Sequence, residues 1–409
     1  MDNEVRELLR DIAADIPPLR EVPPTLRPRA RRRIVATVGM TVVLVAALVL
    51  GSVAALRAIT QASPAPADLP TNVQLPNAPG AWQRIEIPYD SRCPADNCHM
   101  ELVAAGDAGL VVTGWTFNGS VEWTVGWSSP DGLSWHPIAP TEVDGVAWGQ
   151  TAAGPGFVAV GREGVWRSTD GLSWDLVHSL GGRNWFSSVA AGGPGMVAVG
   201  RPNKAWYSSD GLTWEAATVP PVPANVYPGD DGRTPQVYMK SVAAGADRLV
   251  ATGEMTFNDM RNGPAIWVSS DGTSWRDVPI DGDVFPRGCS IYDVAGGPDG
   301  FVGVGRCDAG SSETLVWRSP DGVHWERVGR DAFDGEAPGR VAASPTGWVA
   351  VGGDALWTSV DGATWTRVPT GPTFRGAGAG DVTAWGSRFV VLGSTDDGQN
   401  VVWISGPQE

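Results

Sequence analysis

A nine-residue pattern, W-x-S-x-D-G-x-x-W, recurs six times in this 409-residue chain and constrains the fold more than any other feature. Its first tryptophans are Trp127, Trp166, Trp206, Trp267, Trp317 and Trp357, and their partners are Trp135, Trp174, Trp214, Trp275, Trp325 and Trp365. In each copy the glycine supplies the positive φ of a tight turn, and the aspartate before it can accept hydrogen bonds from turn N–H groups. Each copy is therefore predicted to be a hairpin, strands C and D. Upstream of each lies a second pair of short strands around a Gly/Pro turn, as in 188–201 (SVAAGGPGMVAVGR) and 293–306 (DVAGGPDGFVGVGR), giving strands A and B. The motif aspartates Asp131, Asp170, Asp210, Asp271, Asp321 and Asp361 are 39, 40, 61, 50 and 40 residues apart, the length of a propeller blade. A content of 53 Gly, 33 Pro and 20 Trp agrees with a turn-rich, all-β chain.

The repeat also predicts how the ring closes. Strands A and B occur once more at 381–394, followed by 401–406 (VVWISG), where Trp403 opens a motif that is never completed. The absent strand D is found at the other end, in 80–88 (GAWQRIEIP), which matches 363–369 (ATWTRVP) with Trp82 in the place of Trp365. The expected architecture is an all-β, seven-bladed β-propeller over residues 80–406, closed by pairing the strand around Trp82 with the C-terminal blade. Closure of that kind leaves no open sheet edge between the first and last blades.

The motif resembles the Asp-box (BNR) repeat of the sialidase superfamily, and the chain is also similar to propellers of the photosystem II assembly factor type; the resemblance spans residues 80–406. It implies the fold and leaves the activity open, because propellers of this kind include glycosidases, sorting receptors, assembly factors and plain binding modules.

The turns within hairpins C–D and A–B are short throughout, so one face of the ring should be uniform. Insertions at 89–99, 220–237, 254–263 and 281–288 collect on the opposite face, and irregular loops on a rigid scaffold are where binding resides. Arg162, Arg201 and Arg306 each follow a V-G pair at the end of strand B, which places them on that variable face, able to grip a carboxylate or phosphate or to pair with Glu163 and Glu254. Tyr238, Lys240 and Tyr292 lie near the starts of strands A, and complete the set of ligand-binding candidates. A sialidase needs an arginine triad, a tyrosine paired with a glutamate and an acid aspartate. The register pairs no tyrosine with a glutamate, so no catalytic residue is assigned. The six motif aspartates sit at separate turns and are expected to serve those turns. His99, His136, His178 and His324 have no metal spacing, Asp230–Asp231 and Asp396–Asp397 lack an EF-hand pattern, and 376–380 (GAGAG) leads into no helix, so neither metal nor cofactor is expected. The reading is a non-catalytic module for an extracytoplasmic carbohydrate, peptide or protein, with a sialidase-like glycoside hydrolase as the alternative.

Residues 34–56 carry no charge and, as a helix, would span about 34 Å, enough for a membrane. Arg27, Arg29, Arg31, Arg32 and Arg33 precede this segment and only Arg57 follows it, so the N-terminus is expected in the cytoplasm and the propeller outside the cell membrane, on a single-pass anchor. The tail, 1–33, places Val5, Leu8, Leu9, Ile12 and Ile16 on one helical face. It is similar to short tails of actinobacterial membrane proteins linked to extracytoplasmic-function sigma factors, which implies a cytoplasmic protein partner at residues 2–16 and a transmembrane signalling role as a further alternative. Residues 57–79 are rich in proline and read as an extended tether. The four cysteines form two local pairs, Cys93 with Cys98 and Cys289 with Cys307, as expected of disulfides in an oxidising compartment. Six acids and nine arginines precede residue 58, so the remainder carries about −18 of the formal −15 and repels nucleic acid.

Overall fold

The computed structural model describes residues 80–407 except 90–97, 118–121, 139–148, 153–155, 163, 181–184, 193–194, 222–235, 257–261, 287, 308–312, 334–335, 337 and 370. The predicted tail, membrane span and tether lie outside the described residues, as do Cys93, Asp230 and Asp231. Among the described residues no helix is long and apolar enough to cross a membrane.

All six D-G turns are built alike. One carboxylate oxygen of each aspartate accepts the backbone N–H groups two and three residues further on, at 2.7–2.9 Å in every copy. The serine two positions before the aspartate donates its hydroxyl to that same oxygen, and in five copies it also accepts the N–H of the glycine. The six glycines have φ between 70° and 76°, a region closed to most side chains. The aspartates thus serve the turns, as their spacing predicts.

These hairpins belong to seven four-stranded antiparallel sheets. Blades 1 to 6 run over 98–137, 149–179, 185–216, 236–277, 289–327 and 340–367, and blade 7 takes 377–405 together with Trp82–Glu86. Trp82 pairs with Ser405 and Arg84 with Trp403. Arg367 pairs with Trp357 in the same way, so Trp82 occupies the register position of Trp365 and the predicted closure is observed residue for residue.

Strand A is the inner strand, and a β-bulge recurs in it at Glu101, Ser187, Lys240, Tyr292 and Gly380. The bulge throws the backbone over strand B. A β-carbon at Gly114, Gly200, Gly253, Gly305 or Gly393 would meet a strand A carbonyl oxygen at 1.8–2.1 Å, which explains the glycine of each of these V-G, T-G and L-G pairs. One residue past the bulge, a polar side chain reaches the next blade: Ser188 accepts the N–H of Val242, Ser241 that of Val294 and Asp293 that of Val341. Asp381 accepts the N–H of Val103 at 2.8 Å, and this bond crosses the seam between the last blade and the first.

The apolar core lies between blades. The opening tryptophans of the motif are at most 8% exposed, and Trp403 at 1% is buried like the others. At roughly 25 cal/mol per Å² and 150–250 Å² each, one such side chain contributes about 4–6 kcal/mol as an upper bound. Phe285, Phe333 and Phe374, from the loops entering blades 5, 6 and 7, each wedge against both tryptophans of their own blade, with ring centroids 5.3–6.3 Å apart. Each D-G turn leans on the blade before it, and a β-carbon at Gly272 would come within 2.7 Å of Tyr207 and 3.0 Å of Val197.

Two predictions follow from this packing. Gly272→Ala combines a clash with φ of 76° and should destabilise by about 2–3 kcal/mol in a urea titration, whereas Gly282→Ala, with nothing within 4 Å, should change the midpoint little. Burial pushes the Asp381 carboxyl up to about 7, against the pull of the Arg340 guanidinium 3.7 Å away and the Val103 N–H, and the charge of Asp293 adds to the rise. A carboxyl whose folded-state pKa lies above the unfolded value loses native stability as pH rises from about 4 to about 7. Asp381→Asn keeps the acceptor for Val103, so its melting temperature should lack the decline that the parent shows between about pH 4 and 7.

Candidate functional site

The residue after the strand B glycine occupies the same ring position in every blade. It is Trp115, Arg162, Arg201, Glu254, Arg306, Gly353 and Ser394 from blade 1 to blade 7. Where strand A extends far enough, this residue pairs with His99, Trp185, Tyr238, Ser290 or Gly378. The rim is thus bulky and charged over blades 1 to 5 and bare over blades 6 and 7. The bare side opens into a cleft of about 800 Å³ bordered by Gly353, Arg375, Gly378, Gly380, Ser394 and Asp396. The segment 376–380 is therefore the wall of an open cleft.

Four of the six predicted ligand-binding residues come together on blades 3, 4 and 5. The Arg201 guanidinium lies 4.0 Å from the ring centroid of Tyr238 and 5.1 Å from that of Trp185. Lys240 binds Glu254 at 2.7 Å and lies 5.6 Å from the ring of Tyr292. The Ser290 hydroxyl donates to the same Glu254 oxygen at 2.7 Å. Burial pushes the Glu254 carboxyl up, but hydrogen bonds from Lys240 and Ser290 and the charges of Lys240 and Arg201 outweigh it and hold the group below the usual glutamate range. Contrary to the expectation that no tyrosine pairs with a glutamate, the blade 4 ladder sets Tyr238 directly opposite Glu254, because the bulge at Lys240 shifts the register; the Tyr238 hydroxyl itself donates to Gln236.

Arg162 and Arg306 are exposed at the same ring position in blades 2 and 5. Glu254 stands between Arg201 and Arg306 in the order of blades, so the three arginines do not form an unbroken row. The Cys289–Cys307 disulfide forms as predicted, across the first pair of the blade 5 ladder and next to Ser290 and Arg306. Cys98 is disulfide-bonded, and Cys93, its expected partner, is outside the described residues. In blade 1, His99 stacks on Trp115 with centroids 4.4 Å apart, and the Trp115 indole N–H donates to Glu101 at 2.8 Å. Among the described residues no group of three or more His, Cys, Asp or Glu is placed to hold a metal ion.

Sequence reasoning did not single out Trp185 or Ser290, and gave Glu254 only as a salt-bridge partner. One signal was present. The chain contains two lysines, Lys204 and Lys240, and both fall beside Arg201 in blades 3 and 4.

The described residues therefore define a seven-bladed β-propeller with a charged, aromatic half-rim. No family model and no curated protein sequence matches the chain. Among solved structures it is similar to YCF48 bound to a D1 peptide, with 14% identity, a TM-score of 0.52, and coverage of 82% of this chain and 98% of that one. It is also similar to a Trypanosoma rangeli sialidase in complex with 2,3-difluorosialic acid, with 15% identity, a TM-score of 0.45, and coverage of 80% of this chain and 59% of that one. The β-propeller domain of the Trilobed protease from Pyrococcus furiosus matches at 10% identity and a TM-score of 0.48, over 75% of this chain and 95% of that one. These likenesses concern the fold.

Two outcomes test the electrostatics of this region. Lys240→Met leaves the Glu254 carboxylate without its cation and should destabilise by roughly 1–3 kcal/mol in urea, an effect that Glu254→Gln in the same chain should largely relieve. At the D-G turns, hydrogen bonds from Thr364 and Ala363 hold Asp361 down at about 2 despite partial burial. A depressed carboxyl stabilises the fold above its unfolded pKa, and that contribution is lost as pH falls from about 4 through about 2. Acid unfolding of Asp361→Asn should be correspondingly less steep in that window.

Proposed function

We propose that this chain is a non-catalytic binding module, an Asp-box propeller carried outside the cell membrane on the anchor at 34–56, that presents its variable face to a peptide or protein. The observation that carries the reading is the gathering of Arg201, Lys240, Tyr238, Tyr292 and Trp185 on the rim of blades 3 to 5. Cations beside aromatic faces on a rigid ring form a recognition surface. Support also comes from the fold shared with YCF48, which was solved with a bound peptide. Glu254, a carboxylate inside the cluster, is bonded by Lys240 and Ser290, which favours a binding role over that of a free catalytic carboxylate.

Purified full-length chain in detergent micelles should bind members of a peptide panel and leave a fluorogenic sialoside unhydrolysed. The double variant Arg201→Ala, Lys240→Ala should weaken peptide binding at least tenfold, about 1.4 kcal/mol. Sialoside turnover that disappears in Tyr292→Phe would replace this reading with a glycosidase.

A further inference from the structure

We propose that Arg201 is the receptor for a carboxylate of the bound peptide, held in position by Trp185 and Tyr238; this rests on the peptide-binding reading above and adds the chemistry of the ligand. Arg201 is partly buried and lies near two rings. Trp185 lies directly opposite it in the blade 3 ladder, and Tyr238 comes from strand A of blade 4. Ring faces attract a guanidinium but take none of its five N–H donors, which point outward from its edge. Among the described residues the Arg201 guanidinium takes part in no hydrogen bond and has no carboxylate within 4 Å, although its charge is felt by Glu254.

Several other cations contrast with it. Lys240, its neighbour, is bound to Glu254, and Arg248, Arg318, Arg340 and Arg367 each have a carboxylate within 4 Å. On a portion of chain carrying about −18, Arg201 combines two neighbouring rings with no carboxylate within 4 Å. A guanidinium whose neighbours are ring faces keeps its donors as a flat fork, and that fork matches a carboxylate through two parallel bonds. The local charges decide between anions. Arg201, Lys240 and Glu254 together leave one positive charge, which suits a monoanionic carboxylate, whereas a phosphate dianion would meet the Glu254 charge with only one uncommitted cation against it. One arginine is sufficient for this, without the row of three.

The test uses full-length chain on an array of random dodecapeptides printed with free and with amidated C-termini, beside glycans ending in sialic or glucuronic acid. Bound peptides should be enriched in Asp and Glu, or confined to the free-terminus set if the C-terminal carboxylate is the one that docks. Replacing that acid by its amide in the strongest peptide should lower affinity at least tenfold. Arg201→Lys should lose nearly as much as Arg201→Ala, because an ammonium lacks the fork, and Arg201→Lys also covers the case in which Arg201→Ala does not fold. Trp185→Ala should reduce the discrimination between acid and amide, and Trp185→Phe, which keeps a ring, should restore it. Peptide binding that is indifferent to acidic residues or to Arg201 overturns this proposal and leaves the binding-module reading intact. Binding of acidic glycans in place of peptides, or of nothing on the array, overturns both.

Discussion

A four-stranded blade with two apolar faces has no interior of its own, and every blade here can bury its faces only against its neighbours. The ring must therefore close, and the structure depends on five residue pairs between Trp82–Glu86 and the strand Asn400–Ser405. Without them Trp403, 1% exposed, would lose the strand beside it, and the D-G turn of blade 1 would lean on an incomplete neighbour, since Gly132 packs on Ile404 and Trp385 of blade 7. The Asp381 to Val103 bond fastens the inner side of the same seam. Closure is thus made twice, once at the outer edge by main-chain pairing and once near the axis by a buried carboxylate.

Much of this was legible because it is local and repeated. The W-x-S-x-D-G-x-x-W motif fixes hairpin register within nine residues, so a lone Trp82 could be placed by comparison with Trp365, and Cys289 and Cys307 could be paired by counting outward from the turn between them. The bulges were not legible. Glu101, Ser187, Lys240, Tyr292 and Gly380 share no residue type, because a bulged residue leaves the ladder and no common packing selects it. Their trace in the sequence is the strand B glycine, which reads as ordinary punctuation until the carbonyl above it is seen. Phe285, Phe333 and Phe374 were missed for a related reason: they stand at unequal distances from the tryptophans they cover, so no period reveals them.

The candidate site was half legible. The V-G-R signature located Arg201, and strand order located Tyr238, Lys240 and Tyr292. The part that gives them meaning is lateral: Trp185 comes from Arg201's own blade, Tyr238 from the next, and Glu254 draws Lys240 and Ser290 together across another boundary. Contacts between blades depend on the curvature of the ring, which no linear spacing encodes. Electrostatically the result is a small cationic island, held by ring faces and one shared carboxylate, on a strongly acidic body.

The recurring bulge has a consequence for how such a protein can change over generations. A side chain at the bulge belongs to neither ladder, and the positions observed here already hold an acid, an alcohol, an amine, a phenol and a bare glycine on one unchanged framework. The glycine beneath makes room for the bulge, and the bulged side chains differ in what they hold: Ser187 donates to the Met239 carbonyl of the next blade, Lys240 binds Glu254 and Glu101 accepts from Trp115. The rim therefore behaves as a row of sockets in which a lineage can exchange one side chain without disturbing the ladders, at the cost only of the contacts that side chain itself makes, as Lys240 does with Glu254.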